Sequence, residues 1–200
     1  MHSTSRAAPP AKGLSDTPAG YGLVSRSLHW LMALLIVWQF TSALLRVFAE
    51  DTAIEGFFWS THYSVGFTIY VLAVVRGIWG LANLKRRPSH GGSLLDRAAP
   101  LGHLAMYVLM IVVPFLAILR AAGGGRGLSV YGLQLVAPGG EPNPMLTEPA
   151  NALHGLLGWV LLALIVGHVA MALIHGLVWR DATLDRMTRG GSDKPAPGAA

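Results

Sequence analysis

Residues 152–178 read ALHGLLGWVLLALIVGHVAMALIHGLV and contain no Asp, Glu, Lys or Arg. About 20 consecutive apolar residues suffice for a helix that crosses the hydrocarbon core of a bilayer, so this stretch predicts a transmembrane helix. Three other stretches are comparably long and apolar, at residues 28–48, 60–82 and 101–120. The sequence therefore predicts an all-α integral membrane protein, a four-helix bundle in contact with membrane lipid.

The composition of the whole chain agrees with this prediction. Apolar residues make up 52% of the sequence and charged residues only 12%, and the mean hydropathy is +0.49, unlike an ordinary soluble domain. There is no cysteine, which excludes disulfides, cysteine-ligated iron–sulfur clusters and thioether-attached haem. Although the pI is about 10.0, the basic residues lie between apolar runs and not in a contiguous patch, so no binding to nucleic acid is predicted.

The basic residues are unevenly distributed between the two sides of the spans. Eleven of the fifteen Lys and Arg residues precede the first span, separate the second from the third, or follow the fourth. The opposite side carries Arg46, Arg120 and Arg126 together with five acidic residues. Because Lys and Arg are enriched in cytoplasmic loops, both termini are predicted to be cytoplasmic.

The two ends of the chain differ in composition from its centre. Residues 1–20 and 189–200 are rich in Ser, Pro, Ala and Gly, a composition typical of disordered segments. We therefore expect two disordered cytoplasmic tails, with residues 21–188 forming the membrane domain.

The longest connection, residues 121–151, is predicted to lie on the outer side. It contains Gly and Pro throughout and shows no helix or strand periodicity. Two interpretations are open. The segment is a flexible connector, or it is a partly ordered cap with Leu128, Val130, Tyr131 and Leu133 packed against the end of the bundle.

Histidines are the polar residues that stand out in the spans. His2 and His90 lie in polar segments and are interpreted as surface residues. An ionisable side chain within a membrane span is costly, so it is a functional candidate by default. The alternative for each single residue is an interfacial or hydrogen-bonded histidine. Six histidines lie in or at the edge of a span: His29, His62, His103, His154, His168 and His175.

The predicted topology sorts four of these histidines into two pairs. His29 is near the inner end of the first span, and His62 is near the outer end of the second. His154 and His168 are fourteen residues apart, which is about 21 Å along a helix and within about 40° of the same face. His154 therefore matches the depth of His62, and His168 that of His29. Two imidazoles facing each other across a gap between helices can ligate a six-coordinate haem iron, so two b-type haems are predicted.

Other functions fit these histidines less well. Zinc and copper sites favour three or four ligands at one position, often with carboxylate or sulfur. The predicted spans contain no acidic residue and no cysteine, and the histidines fall into separate pairs. A proton-coupled transporter usually has Asp or Glu within the membrane.

Five motifs follow one another along the chain: RSLHW (26–30), THYSVG (61–66), VVRGIW (74–79), GHLAMYVLM (102–110) and LHGLLGWVLLALIVGHVAMALIHGLVWRD (153–181). The most specific is the last, which contains H-x13-H-x6-H followed by W-R-D. In this order the motifs resemble the bacterial cytochrome b561 family of four-helix, two-haem proteins, and the resemblance covers about residues 20–188. It implies that His29, His62, His154 and His168 are the haem ligands, in the pairs given above, and that the chain is a multi-pass protein of the bacterial inner membrane. One departure is Gly176, where some relatives have a second histidine.

Three further residues are candidates for cofactor binding. Arg76 lies fourteen residues after His62, at the predicted depth of the inner haem, where a haem propionate would supply an anionic partner. The alternative is that Arg76 extends to the inner lipid headgroups. His175 and His103 are predicted near the inner face, where each could contact a propionate or a quinone, the alternative being an interfacial histidine.

The resemblance implies electron exchange with the ubiquinone pool. One characterised activity in the family is oxidation of superoxide at the outer, periplasmic face with reduction of ubiquinone. Our first hypothesis is therefore a quinone-linked dihaem electron carrier, an oxidoreductase of this kind. The second is a membrane anchor subunit that relays electrons between quinone and a partner dehydrogenase, hydrogenase or periplasmic cytochrome. The five acidic residues of the outer side outnumber its three arginines, so electrostatic steering of superoxide is not evident from sequence.

Overall fold

The computed structural model describes residues 13–87 and 94–191. Within these ranges it contains four helical segments long and apolar enough to cross a membrane, Leu23–Phe48, Ala53–Ala82, Ala98–Gly123 and Pro144–Trp179, so the prediction of an all-α four-span protein is confirmed. The elements are the helices α1 (Leu23–Phe48), α2 (Ala53–Ser60), α3 (His62–Ala82), α4 (Leu94–Gly123), α5 (Pro144–Leu173) and α6 (Thr183–Thr188), a 3-10 turn at Leu84–Arg86, a π-helix at Ile174–Trp179, and the strands β1 (Leu128–Val130) and β2 (Leu133–Val136).

The helices extend beyond the spans predicted from hydropathy. α1 begins at Leu23 and α5 at Pro144, several residues before the predicted starts at 28 and 152. Their first turns contain polar residues, which lower the hydropathy of a window without preventing a helix. The second span is preceded by the separate short helix α2, whose N-terminus is capped by the Thr52 hydroxyl accepting from the backbone N–H of Glu55. Hydropathy therefore located the spans but not their ends.

The chain forms two compact units, each assembled from several stretches of sequence. Of the described residues, the first unit contains those up to Trp30, those within Arg76–Leu104 and those from Ile165 onward, and the second contains Leu31–Val75 and Ala105–Leu164. Side chains such as Leu34 and Ile78 are more than 60% exposed on the helix surfaces, as expected for helices surrounded by lipid.

In the first unit, the segment before α1 is ordered, contrary to the predicted tail. Asp16 is 2% exposed and accepts hydrogen bonds from the backbone N–H of Gly22 at 3.0 Å and from Arg87 at 3.3 Å. Gly20 lies so close to the backbone of Gly190 that a side chain there would clash. The prediction of a disordered tail is therefore wrong for residues 13–20, and residues 1–12 and 192–200 lie outside the described residues.

The long connection of the second unit contains a β-hairpin that sequence periodicity did not reveal. β1 and β2 pair antiparallel, and the two residues between them, Tyr131 (φ 50°) and Gly132 (φ 83°), both have the positive φ of a tight hairpin turn. Leu128 and Val130 are buried against Ala121 and neighbouring side chains of α3 and α4. Strands of three and four residues are too short for a recognisable alternation.

This hairpin favours the cap interpretation over the flexible connector. The Tyr131 hydroxyl forms a 2.9 Å hydrogen bond with Thr68, and its backbone N–H donates to Ser64 at 3.1 Å. Leu133 was predicted to pack with the cap but is 66% exposed, so that part of the prediction is wrong. The buried side chains of the hairpin come from β1, whereas the first three residues of β2, Leu133 among them, are exposed.

Candidate functional site

The second unit brings His62 and His154 together, and we call this pair the His62 site. His62 is the first residue of α3, and His154 lies in α5. Their ring centroids are 6.4 Å apart and their planes meet at 69°. Two metal–nitrogen bonds of about 2 Å, plus about 1 Å from each ring centre to its nitrogen, require roughly 6 Å between centroids. The spacing therefore suits one metal ion held between the two rings.

Hydrogen bonds orient both rings of the His62 site. The buried hydroxyl of Ser42 donates to the Gln39 carbonyl at 2.6 Å, so it accepts from Nδ1 of His62 at 2.7 Å. Nδ1 of His154 donates to the Val113 carbonyl at 2.9 Å. Metal-bound histidines commonly donate their second ring N–H to such an acceptor, which fixes the tautomer and leaves Nε2 for the metal. Both imidazoles are thus preset to ligate through Nε2.

A cavity of about 260 Å³ adjoins these two rings. Its lining is largely apolar, and Gly155 and Gly158 in its wall leave open space where a side chain would project. The Nε2 of Gln39 lies 3.1 Å from Nε2 of His62, while Oε1 of Gln39 is buried without a hydrogen-bond partner. An apolar cavity beside two imidazoles, with glycines along its wall, fits a haem, provided that the Gln39 side chain moves away from His62 when iron binds.

A second, polar pocket of about 640 Å³ shares part of its wall with this cavity. It gathers Arg46, Arg120 and Arg126, the three arginines predicted for the outer side. Arg46 is neutralised by Glu50 at 3.1 Å and by the buried Glu55 at 3.2 Å. Arg120 donates to the Tyr63 hydroxyl at 2.9 Å. The pocket is therefore cationic, but less so than three unpaired arginines would make it.

The first unit brings His29 and His168 together, and we call this pair the His29 site. Their ring centroids are 6.2 Å apart and their planes meet at 69°. The geometry is nearly that of the His62 site, so it also suits one metal ion. The pairing of four histidines inferred from topology agrees with their positions in the structure.

The hydrogen bonding of the His29 site differs from that of the His62 site. Arg76 donates from its guanidinium to Nδ1 of His29 at 3.0 Å. A neutral His29 that accepts at Nδ1 carries its proton on Nε2, and that nitrogen then has no lone pair for a metal. Ligation through Nε2 therefore requires Arg76 to turn away, and a haem propionate would offer it an anionic partner.

His103 also lies at the His29 site. Its ring lies 5.1 Å from that of His168 at an angle of 80°, and its Nδ1 donates to the Ala99 carbonyl at 2.7 Å. In the part of the chain that the structure describes, no group of three or more His, Cys, Asp or Glu side chains is arranged to hold a metal ion. His103 is thus a neighbour of His168 and does not complete a three-residue metal site among the described residues.

His175 contacts a carboxylate that sequence analysis did not single out. Its Nδ1 lies 2.6 Å from Asp181, which is 7% exposed and also accepts from the backbone N–H of Thr183. Gly176, which directly follows His175, lies under Leu184, and a Cβ there would be 3.0 Å from its methyl group. Asp181 belongs to the W-R-D motif, so its position directly after a span was a usable signal.

Gln39 and Ser42 were also missed. They are polar residues of the first span, and Ser42 is completely buried. Polar side chains within a membrane span usually have a specific partner, and that rule, applied to residues other than histidine, would have identified them. Their partner, His62, could not be identified without the packing of α1 against α3.

Comparison with known proteins gives consistent matches. The sequence model of the family described as prokaryotic cytochrome b561 matches residues 20–190. The chain is 30% identical over 177 residues to cytochrome b561 homolog 2 of Escherichia coli strain K12, covering 86% of this chain and 93% of that protein. It is 31% identical over 172 residues to probable superoxide oxidase CybB of Yersinia pestis, covering 84% and 94% respectively.

Proposed function

The chain belongs to the prokaryotic cytochrome b561 family, and from this premise we propose that it carries electrons between two b-type haems across the bacterial inner membrane. As a member of that family it is a haem-binding membrane electron carrier. We assign one haem to the His62 site and the other to the His29 site. The observation that carries this proposal is the pair of nearly equal ring separations, 6.4 and 6.2 Å, at two independent pairs of histidines.

The residues of each site have distinct tasks in this proposal. Bound haem iron supplies a centre that accepts and releases single electrons. Ser42 and the Val113 carbonyl hold the imidazoles of His62 and His154 in the ligating tautomer. Arg76 contributes a positive charge beside the His29 site, and the apolar cavity wall keeps water away from the His62 site.

We propose superoxide as the electron donor and ubiquinone as the acceptor. A relative of the chain is named a probable superoxide oxidase, and the polar pocket, in which Arg120 and Arg126 remain beside the neutralised Arg46, would attract a small anion toward the His62 site. Two superoxide anions each lose one electron and become two molecules of O₂. One ubiquinone takes both electrons together with two protons and becomes ubiquinol.

The experiment is to purify the chain in detergent and measure ubiquinone reduction during steady generation of superoxide. We expect ubiquinol formation that stops when superoxide dismutase is added, together with reduction of the bound haem. His62→Ala is the matched control and should abolish ubiquinol formation. If the isolated wild-type chain does not reduce ubiquinone, and a dehydrogenase, hydrogenase or periplasmic cytochrome copurifies with it in fixed ratio from native membranes, the chain is instead an anchor subunit.

A further inference from the structure

The end of the fourth span has an unusual backbone. After α5, residues Ile174–Trp179 form a π-helix, and Arg180 then adopts a left-handed conformation with φ 52° and ψ 35°. π-helical turns often occur at functional sites, and a positive φ is uncommon for a residue with a side chain. Residues six apart point about 120° away from each other on a regular α-helix. This turn therefore lets Asp181 reach His175.

The two side chains of this pair are tightly hydrogen bonded, with Asp181 buried and His175 partly exposed. Oδ2 of Asp181 lies 2.6 Å from Nδ1 of His175, and Oδ1 accepts from the backbone N–H of Thr183 at 2.8 Å. The Asp181 backbone N–H donates to the His175 carbonyl at 3.1 Å, which closes the turn. Both oxygens of the carboxylate are thus occupied, and the imidazole is held from one side.

The chemistry of this pair is that of a supported acid and base. Burial alone would raise the pKa of Asp181, but hydrogen bonds from His175 and Thr183 outweigh it, so the pKa is lower than the ordinary value of 3.8. The carboxylate is therefore ionised at neutral pH and stabilises a positive charge on the imidazole. Because Nδ1 faces Asp181, Nε2 is the nitrogen that can release or accept a proton.

The pair is also close to the His29 site. His175 follows His168 by seven residues, which is about 10.5 Å along a helix and nearly the same face. Both histidines belong to the first unit. The His175 side chain is 18% exposed, so its ring is accessible. The helix packed against this turn, α6, adds the charged residues Asp185 and Arg186.

We propose that His175 and Asp181 form the proton-transfer pair that protonates a quinone as it is reduced, an inference that rests on the proposed function. Ubiquinone needs two electrons and two protons to become ubiquinol, and electron carriage supplies only the electrons. Protonated His175 gives the proton on Nε2 to a quinone oxygen and becomes neutral imidazole. Water then returns a proton to Nε2, while Asp181 remains a carboxylate throughout.

The test compares two electron acceptors with the purified, haem-loaded protein. The pre-reduced chain is mixed either with ubiquinone-1, which needs protons, or with ferricyanide, which takes an electron without one. In Asp181→Asn, which keeps the shape and the hydrogen bond but removes the charge, we expect oxidation by saturating ubiquinone-1 to slow at least about tenfold. The rate with ferricyanide and the KM for ubiquinone-1 should change by less than about twofold. The haem content and the haem reduction potentials should be unchanged.

Control variants separate proton transfer from a structural role. Asp181→Glu should restore part of the rate with ubiquinone-1, and Asp185→Asn, which removes a carboxylate from α6, should behave as wild type. Equal rates of Asp181→Asn and wild type with ubiquinone-1 would overturn the inference. The inference would also be overturned if Asp181→Asn and His175→Gln both slowed oxidation equally with ubiquinone-1 and ferricyanide, or if both variants lost haem. If the wild-type chain reduces ferricyanide but never ubiquinone-1, the proposed quinone function itself is wrong.

Discussion

The His62 site and the His29 site have nearly the same ring spacing but different hydrogen bonding. At the His62 site, neutral acceptors hold both Nδ1 atoms, so Nε2 of each ring keeps its lone pair, although the Gln39 amide must leave Nε2 of His62 when iron binds. At the His29 site, the cationic Arg76 donates to Nδ1 of His29, and the ring of His103 lies against His168. Equal distances therefore do not imply equal sites. We expect the ligating tautomers to be preset at the His62 site, where only Gln39 moves, whereas haem binding at the His29 site requires His29 to change its tautomer as Arg76 turns away.

The largest expected effect is loss of a ligand, which would show whether two separate sites exist. Replacing His62 or His154 with Ala should remove one haem, and replacing His29 or His168 should remove the other, because each pair shares one iron. Reduced-minus-oxidised spectra of each variant measure the component that is lost. His2→Ala and His90→Ala are controls that should retain both haems. If His29→Ala and His62→Ala deplete the same component, the pairing is wrong.

The second prediction tests the difference in hydrogen bonding between the two sites. Ser42→Ala removes the acceptor of the His62 Nδ1 proton, so the ring loses its fixed tautomer. We expect haem affinity at the His62 site to fall about tenfold, with little change at the His29 site. Haem release to an excess of apomyoglobin measures this. Thr41→Ala is the matched control, since the Thr41 hydroxyl bonds only to the Val37 carbonyl of its own helix; equal affinities in both variants would remove Ser42 from the site.

A smaller effect concerns the charge of Arg76. At about 8 Å and an effective dielectric near 20, a unit charge contributes on the order of 2 kcal/mol before compensation by a propionate. Because a nearby cation favours the reduced haem, Arg76→Leu should lower the potential of the His29-site haem by a few tens of millivolts, leaving the other unchanged. A redox titration measures both.

Arg76→Lys is the graded control for that titration. It retains the charge but loses the bidentate fork, so it should give a smaller shift than leucine. If Arg76→Leu changes neither the haem potentials nor the haem content, Arg76 instead extends to the lipid headgroups.

The smallest effect is on stability and involves Asp181. Its pKa in the folded chain lies below 3.8, so its contribution to stability is complete above that pH and is lost as the pH falls through the folded pKa. The difference in melting temperature between wild type and Asp181→Asn should therefore persist down to about pH 5 and be lost only below about pH 4. Thermal unfolding in detergent, followed by tryptophan fluorescence, measures it; a difference that vanishes near pH 6 would contradict the assignment.

Sequence reasoning located the spans and the histidine pairs because both depend on long, regular patterns. A run of apolar residues and a helical spacing of fourteen can be counted without knowing the packing. The hydrogen bond between Ser42 and His62 could not be predicted, since it depends on how two helices are rotated against each other. The hairpin and the ordered segment around Asp16 were missed because short strands and single buried ion pairs leave no periodic signal.

The most direct test of the whole account is a potentiometric titration of the purified chain with haem and protein measured on the same sample. We expect two haems per chain, which titrate as two components, with only the component assigned to the His29 site shifting in Arg76→Leu. One haem per chain, or a colourless protein after expression with ample haem, would contradict it.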